Sequence, residues 1–139
     1  MKYLLDTCVI SELVKPVPND KVITWLSSID ESKLYISVLT FGEIEKGIEK
    51  LADGSKKKKL KLWLEDDLKQ RFEGRLIPID LKVALKWGQV QAISEQAGKA
   101  LPAIDGLIAV SAIANNCIVV TRNTTDMEQS SVELFNPWI

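Results

Sequence analysis

Residues 2–7 have the sequence Lys-Tyr-Leu-Leu-Asp-Thr, a short apolar run that ends on a carboxylate. A strand inside a parallel sheet is buried on both faces, so its apolar residues follow one another without alternation. Residues 118–120, Ile-Val-Val, repeat this pattern near the other end of the chain. The two runs predict strands of a parallel sheet, with Asp6 at the carboxyl end of the first, where open parallel sheets bind their ligands.

Further β-rich runs alternate with helical patterns, an order typical of a parallel sheet covered by helices. The predicted strands cover residues 2–6, 33–37, 75–80 and 117–121, with an edge strand at 132–136. The predicted helices cover residues 7–15, 20–28, 41–51, 60–72, 81–98 and 103–115, with Asn19 or Asp20, Thr40 and Asp80 as N-caps. Because 139 residues suffice for one core, we expect a single α/β domain over residues 1–139, with a central, mostly parallel twisted sheet flanked by helices.

The composition excludes several classes of function. Hydrophobic residues make up 46% and charged residues 27% of the chain, which is typical of a folded domain and not of a disordered tail. The 18 basic and 19 acidic residues leave a net charge of -1, so any contact with a nucleic acid has to be local. Histidine is absent, which excludes Ser–His and Cys–His catalysis and histidine-ligated metals and leaves carboxylate, hydroxyl, lysine or cation chemistry.

The cysteines and the apolar segments bear on the compartment. Cys8 and Cys117 each lie in an apolar stretch without CxxC spacing, so we expect reduced core thiols and neither a zinc site nor a redox pair. No run approaches about 18 apolar residues, and Asp6 stands where a signal peptide would need its apolar segment. The expectation is a cytoplasmic protein without a membrane segment.

Acidic and amide side chains follow the predicted strands in four separate segments. Asp6 ends the first strand, Glu43 borders the core face of the helix after the second, and Asp105 is the only charge of an apolar helix. Asn123 and Asp126 lie in the polar loop after the fourth strand. Each has an ordinary structural explanation by itself: Asp6 as a cap, Asp105 as a response to the helix dipole, Glu43 as a solvated residue, and the loop as a turn.

The conjunction of these residues is more informative than any one of them. The carboxyl ends of parallel strands share one edge of a sheet, so the four segments are expected to meet there. Two carboxylates about 4 Å apart repel by roughly 4 kcal/mol at an effective dielectric constant of about 20. Either one acid holds a proton, or a cation lies between them, and oxygen ligands without histidine favour Mg²⁺ or Mn²⁺ over zinc.

Four motifs spread over the whole chain, in order, carry a family resemblance. They are residues 3–7 (Tyr-Leu-Leu-Asp-Thr, followed by Ser11-Glu12), 36–43 (Ile-Ser-Val-Leu-Thr-Phe-Gly-Glu), 101–109 (Leu-Pro-Ala-Ile-Asp-Gly-Leu-Ile-Ala) and 121–127 (Thr-Arg-Asn-Thr-Thr-Asp-Met). Together they resemble the PIN-domain ribonucleases, and within them the VapC-type toxins of bacterial toxin–antitoxin pairs, including the FitB-like branch.

The resemblance implies a Mg²⁺- or Mn²⁺-dependent endoribonuclease that is the toxin of a VapBC-type pair. The site residues that it implies are the catalytic and metal-binding acids Asp6, Glu43 and Asp105, with Asn123 as a metal ligand or Asp126 as a further catalytic acid, and Thr7, Ser11, Ser37, Thr121 and Arg122 in supporting positions. The implied partners are an RNA substrate, a second copy of the chain in a homodimer, and a VapB-type antitoxin whose tail enters the acidic cleft, often with an arginine.

Two alternatives belong to other classes of protein. A phosphoacceptor receiver domain has a similar sheet, but it needs a lysine after a late strand, where this chain has Thr121-Arg122. The other alternative is a catalytically inert domain that only binds partners. The run at 56–59, together with Lys61, is a further candidate for RNA contact, although such runs are also found as solvated helix faces.

Overall fold

The computed structural model describes residues 1–139, and five parallel strands form its central sheet. The strands are β1 (Lys2–Leu5), β2 (Leu34–Ser37), β3 (Leu76–Ile77), β4 (Cys117–Val120) and β5 (Leu134–Phe135), in the spatial order β3-β2-β1-β4-β5. The α-helices are α1 (Thr7–Leu13), α2 (Asp20–Ser28), α3 (Val38–Glu49), α4 (Ser55–Leu62), α5 (Lys69–Arg71), α6 (Leu81–Gln96), α7 (Ala103–Ala114) and α8 (Thr124–Met127), and a π-helical segment, Trp63–Leu68, joins α4 to α5. This architecture confirms the predicted α/β fold class.

Strand β1 lies in the middle of the sheet and fixes its register. Leu4 pairs with Tyr35 of β2 on one side and with Val119 of β4 on the other. The pairing continues past the strand, because the backbone N–H of Asp6 donates to the carbonyl of Val120 at 2.9 Å. Since all strands run the same way, the segments that leave β1, β2 and β4 emerge at the same edge of the sheet.

Two apolar clusters cover the two faces of the sheet. Leu5 belongs to the cluster that includes Phe72, whereas Leu4, its neighbour in the strand, belongs to the cluster that includes Ile108 of helix α7. Successive side chains of a strand point to opposite faces, so burial of both leucines requires helices on both sides. Both are fully buried, which is the reason why β1 is apolar without alternation.

The observed elements are shorter than predicted at several ends. The third strand, predicted at 75–80, contains only two residues, because Pro78 has no N–H to donate and Asp80 caps helix α6 by accepting from the Val83 N–H at 3.0 Å. The fifth strand is likewise reduced to Leu134–Phe135 at the edge of the sheet.

The predicted N-caps are correct at two helices and wrong at a third. Asn19, one of the two candidates, caps α2, and Asp80 caps α6. Thr40 does not cap the next helix as predicted. Helix α3 begins three residues earlier, because Ser37 ends β2 and its Oγ accepts from the Leu39 N–H at 3.1 Å. The hydroxyl of Thr40 is therefore free for another role.

The lysine-rich run forms the start of helix α4. Lys57 and Lys61 are engaged in ion pairs with Glu49 of helix α3, at 4.0 and 2.6 Å. These ion pairs connect helices α3 and α4, so this part of helix α4 has a structural role. Such a role is compatible with the alternative interpretation of the run as a solvated helix face. None of the helices in the structure has the length and apolar character needed to cross a bilayer.

Candidate active site

Asp6 is held from both sides at the carboxyl edge of the sheet. Its Oδ1 accepts from the Thr7 N–H at 2.8 Å, which caps helix α1, and its Oδ2 accepts from the Thr121 hydroxyl at 2.8 Å. The residue is 3% exposed. Burial raises the pKa of this carboxyl above its ordinary value, and these hydrogen bonds oppose the rise. Asp6 therefore caps helix α1 and also lies at the edge of the sheet where the acidic cluster was predicted.

Glu43 is tied to the same point from a different part of the chain. Helix α3 follows β2 directly, and Glu43 lies in its second turn. The Thr7 hydroxyl donates to Glu43 Oε1 at 2.6 Å and lies 3.1 Å from the hydroxyl oxygen of Thr40. Thr7 thus links Asp6, through its backbone, with Glu43, through its side chain.

Asp105 completes a group of four acids. It lies in the first turn of helix α7, and its pKa is raised to about 6, first by burial and then by the negative charges of Asp6, Asp126 and Glu43. Every one of these causes acts in the same direction. Because the charges of three other carboxylates raise the pKa of Asp105, the four carboxyl groups lie in one region of the molecule.

Helix α8, which follows β4, contributes Asp126 to this region. The charge of Asp126 raises the pKa of both Asp6 and Asp105, although Asp126 itself is exposed. Asn123 uses its backbone, because its N–H donates to the Thr121 hydroxyl at 2.9 Å, and its side chain makes no capping hydrogen bond. Asp126 therefore adds a fourth negative charge to this region, whereas the neutral Asn123 could offer only an amide oxygen.

The chain as a whole matches proteins of one family. Residues 3–129 match the PIN domain. The chain belongs to the PIN-domain family. Toxin FitB of Neisseria gonorrhoeae is 38% identical over 135 residues, covering 97% of each chain, and VapC ribonuclease Y4jK of Sinorhizobium fredii is 32% identical over 135 residues, covering 97% of this chain and 96% of that protein.

Solved structures agree with the sequence relatives. The crystal structure of FitAcB from Neisseria gonorrhoeae superposes on this PIN domain with a TM-score of 0.92 and 38% identity, over 98% of each chain. The predicted resemblance to VapC- and FitB-type PIN domains is confirmed. These similarities support the nuclease prediction over the receiver-domain and inert-domain alternatives.

The remaining predicted residues of the PIN domain differ in whether they contact the four acids. Thr121 is fully buried and holds Asp6, as described above. Ser37 caps helix α3 and forms no side-chain hydrogen bond to an acid. Ser11 is exposed one turn beyond Thr7 on helix α1, and no hydrogen bond joins its hydroxyl to the acids. Arg122 is exposed, with its guanidinium 5.1 Å from the ring centroid of Trp138.

Two residues of this region were not predicted as part of it. Thr40 is fully buried beside Thr7, where the sequence predicted only a cap. Cys8 was predicted as a core thiol, but it is half-buried, and its Sγ lies 3.9 Å from Asp6 Oδ2 and 3.6 Å from Thr121 Oγ1. The position of Cys8 two residues after Asp6, just beyond the end of a strand, was the available signal. Cys117 is a buried free thiol, as predicted.

The donor set of the PIN domain fits a hard divalent cation. No three acidic or thiol side chains lie close enough together to form a ready coordination shell. The four acids offer only oxygen, which suits Mg²⁺ or Mn²⁺. Burial raises the pKa of the Cys8 thiol, so the neighbouring sulfur stays protonated and is a poor ligand for a soft metal. Burial first and the three neighbouring carboxylates second raise the pKa of Asp105, so the protein itself supplies no positive charge that offsets these acids.

Proposed function

We propose that this chain is a Mg²⁺- or Mn²⁺-dependent endoribonuclease and the toxin of a VapBC-type pair. The observation that carries the proposal is that the charges of Asp6, Asp126 and Glu43, from three other chain segments, add to the effect of burial on Asp105 and raise its pKa to about 6. Support also comes from the relatives of the chain, one of which is named a toxin and another a ribonuclease.

The proposed ligands of the ion are Asp6, Glu43 and Asp105, with Asp126 as the fourth acid and Asn123 as the alternative to it. A bound divalent ion would lower the pKa of water and offset the charge that builds up on phosphoryl oxygens. Such chemistry needs no histidine base. A bound ion would also relieve the repulsion among the acids, so it would stabilise the folded chain as well as take part in the reaction.

The hydroxyls of the site set the direction of the carboxylates. Thr121 and the Thr7 N–H each engage one oxygen of Asp6, so the plane of this carboxylate is fixed before a ligand arrives. The Thr7 hydroxyl engages only Oε1 of Glu43. Oε2 remains available to bind the ion or to accept a proton from the attacking water, which is the proposed role of Glu43.

Arg122 is the proposed phosphate-positioning residue. It follows Thr121 directly, and its backbone N–H donates to the Cys8 Sγ at 3.5 Å, so the main chain of this loop is attached to the site. Its guanidinium rests near the ring of Trp138, which limits the conformations of a long side chain. Because a guanidinium forms paired hydrogen bonds with phosphate oxygens, Arg122 suits the nonbridging oxygens of the RNA backbone.

Cleavage of RNA tests this proposal directly. The purified chain is incubated with a labelled single-stranded RNA of mixed sequence, with Mg²⁺, with Mn²⁺, and with a chelator. We expect endonucleolytic fragments only with the ion, and none from Asp6→Asn, while Lys33→Ala, which changes an exposed residue before β2, cleaves like the parent chain. Intact RNA under all conditions would refute the nuclease proposal.

The proposed protein partner is a VapB-type antitoxin that presents a cationic side chain to the four acids. A guanidinium forms strong charge-assisted hydrogen bonds with carboxylates, so it would compete with the divalent ion for the same oxygens. Inhibition by such a partner is therefore expected to weaken as the Mn²⁺ concentration rises. The cytoplasm is the proposed compartment, because Cys8 and Cys117 are free thiols.

The proposed homodimer would use the outer side of helix α6. Leu81, Leu85 and Ile93 are 73%, 60% and 65% exposed there, at spacings of four and eight residues. Large apolar side chains grouped on one exposed helix face are typical of protein interfaces. A second copy of the chain would bury them.

A further inference from the structure

A groove beside the four acids runs along the outer face of helix α3. Thr7 and Glu43 line it near the acids, and Lys46 and Lys50 follow Glu43 along the helix, while Leu39, one turn before Glu43, and Ile104 of helix α7 add apolar surface. Its volume is about 520 Å³, within the range of sites that bind small ligands. The groove is therefore continuous with the site and large enough for a part of the substrate beyond the reacting phosphate.

The two lysines of the groove are not engaged by the protein. Lys46 and Lys50 are exposed and take part in none of the seven ion pairs, whereas Lys57 and Lys61 of the adjacent helix α4 are paired with Glu49. Lys46 lies three residues and Lys50 seven residues beyond Glu43, which corresponds to about 4.5 and about 10.5 Å along the helix axis. They form a short row of free positive charge that leads away from the acids.

Two glycines leave the backbone of helix α3 bare along this row. Gly42 and Gly47 lie on the groove, and a Cβ atom added at either position would meet, beyond the adjoining backbone of its own helix, no heavy atom within 4 Å. Glycine is a poor helix former compared with alanine, and internal packing does not call for it here. The bare backbone is explained if a ligand approaches the helix closely at these positions.

We propose that this groove is an RNA subsite in which Lys46 and Lys50 bind phosphates next to the cleaved bond and Gly47 lies against a ribose or base. This inference rests on the proposed nuclease function. Four acids in one place repel a polyanion, and the chain as a whole carries a charge of -1, so RNA needs a local source of positive charge. Lysine binds phosphate as a point charge whatever the sequence, and Leu39 and Ile104 offer apolar surface to the nucleoside.

The test compares the full-length chain with Lys46→Ala/Lys50→Ala, with Gly47→Ala, and with the charge-matched control Lys33→Ala/Lys69→Ala, whose residues are exposed and unpaired. The probe is a labelled single-stranded RNA of mixed sequence. Its cleavage is followed with Mn²⁺, and its binding is followed with a chelator as a function of salt.

The groove lysines are expected to act on binding and not on the chemical step. In Lys46→Ala/Lys50→Ala the KM for RNA rises about tenfold or more with kcat little changed, and the slope of log affinity against log salt falls by about 1.4, or about 0.7 for each phosphate that a lysine no longer neutralises. The control double variant keeps the parent slope. In Gly47→Ala the melting temperature rises, because alanine favours the helix, while the KM for RNA also rises.

Each alternative result has a distinct meaning. If the parent chain cleaves RNA and the groove variants match the control in KM and in salt slope, the RNA subsite is refuted and the nuclease proposal stands. If these RNA measurements are unchanged while binding of a protein partner is abolished, the groove belongs to that partner and the inference is equally refuted. If the parent chain does not cleave RNA, the nuclease proposal itself fails.

Discussion

The Thr7 hydroxyl donates to Glu43 Oε1 at 2.6 Å and so joins two residues that are 36 positions apart in the sequence. The same residue is held by the cap of its helix, since the Thr7 N–H donates to Oδ1 of the N-cap Asp6 at 2.8 Å. One threonine therefore sets the direction of two of the four acids. Its neighbours Thr40 and Thr121 extend this arrangement to a network of hydroxyls around the carboxylates.

Replacement of Thr7 by valine is expected to impair the site more than the fold. Valine has a similar shape but cannot donate to Glu43, whose carboxylate would then rotate freely. A hydrogen bond to a charged group contributes about 1.5–3 kcal/mol, so we expect kcat to fall by about tenfold to a hundredfold, measured by RNA cleavage at saturating Mn²⁺. Thr24→Val, which makes the same change at an exposed threonine of helix α2, is the control. Equal losses in both variants would contradict the proposed role of Thr7.

The raised pKa of Asp105 predicts a pH-dependent stability in the absence of metal. The pKa is about 6 in the folded chain against an ordinary value of 3.8. The folded state thus binds the proton more tightly than the unfolded state, so the free energy of unfolding falls as the pH rises from about 4 to about 6. Asp105→Asn removes this loss, and we expect its melting temperature, relative to the parent chain, to be higher at pH 8 than at pH 4. A difference that does not change with pH would contradict the raised pKa of Asp105.

The choice between Asn123 and Asp126 can be made by metal binding. The charge of Asp126 acts on Asp6 and Asp105, whereas the only hydrogen bond from Asn123 that involves a site residue comes from its backbone. We expect Asp126→Asn to weaken Mn²⁺ binding at least about tenfold, or about 1.4 kcal/mol, and Asn123→Ala to bind nearly as the parent chain does. Calorimetric titration with Mn²⁺ measures both. The reverse order would assign the fourth position to Asn123.

The exposed leucines of helix α6 predict a dimer that a single charge disrupts. Leu85 is 60% exposed in the chain alone, and burial of a leucine side chain contributes about 1.5–3 kcal/mol. Leu85→Glu is expected to convert a dimer into a monomer without loss of the fold, as measured by light scattering and circular dichroism. Leu62→Glu, at a 60% exposed leucine on helix α4, is the matched control. A parent chain that is monomeric at high concentration would refute the interface.

The central strands could be predicted because their burial leaves an unambiguous pattern. Residues 3–5 and 117–120 are apolar throughout, and their short length and β-branched or aromatic residues favour strands over a buried helix such as α7. The ends of the elements could not be predicted as well, because they depend on contacts within the sheet, as residues 37–40 illustrate. Ser37 and Thr40 are both good N-caps, and the choice of Ser37 depends on where β2 stops pairing with its neighbours, which is a property of the sheet.

The candidate site likewise has one part that the sequence predicts and another that only the tertiary structure determines. The sequence alone indicated that acids follow the strands, because strand ends and lone charges in apolar helices can be identified locally, and it carried the motifs of the PIN-domain family. The tertiary structure alone decided which groups touch: that Thr7 reaches Glu43, that Cys8 lies beside Asp6, and that the charge of Asp126 reaches Asp105. The physical reason is the separation along the chain between the groups that interact. Secondary structure is encoded by neighbours in the chain, whereas hydrogen bonds and charge interactions at the site join segments that only the packed sheet brings together.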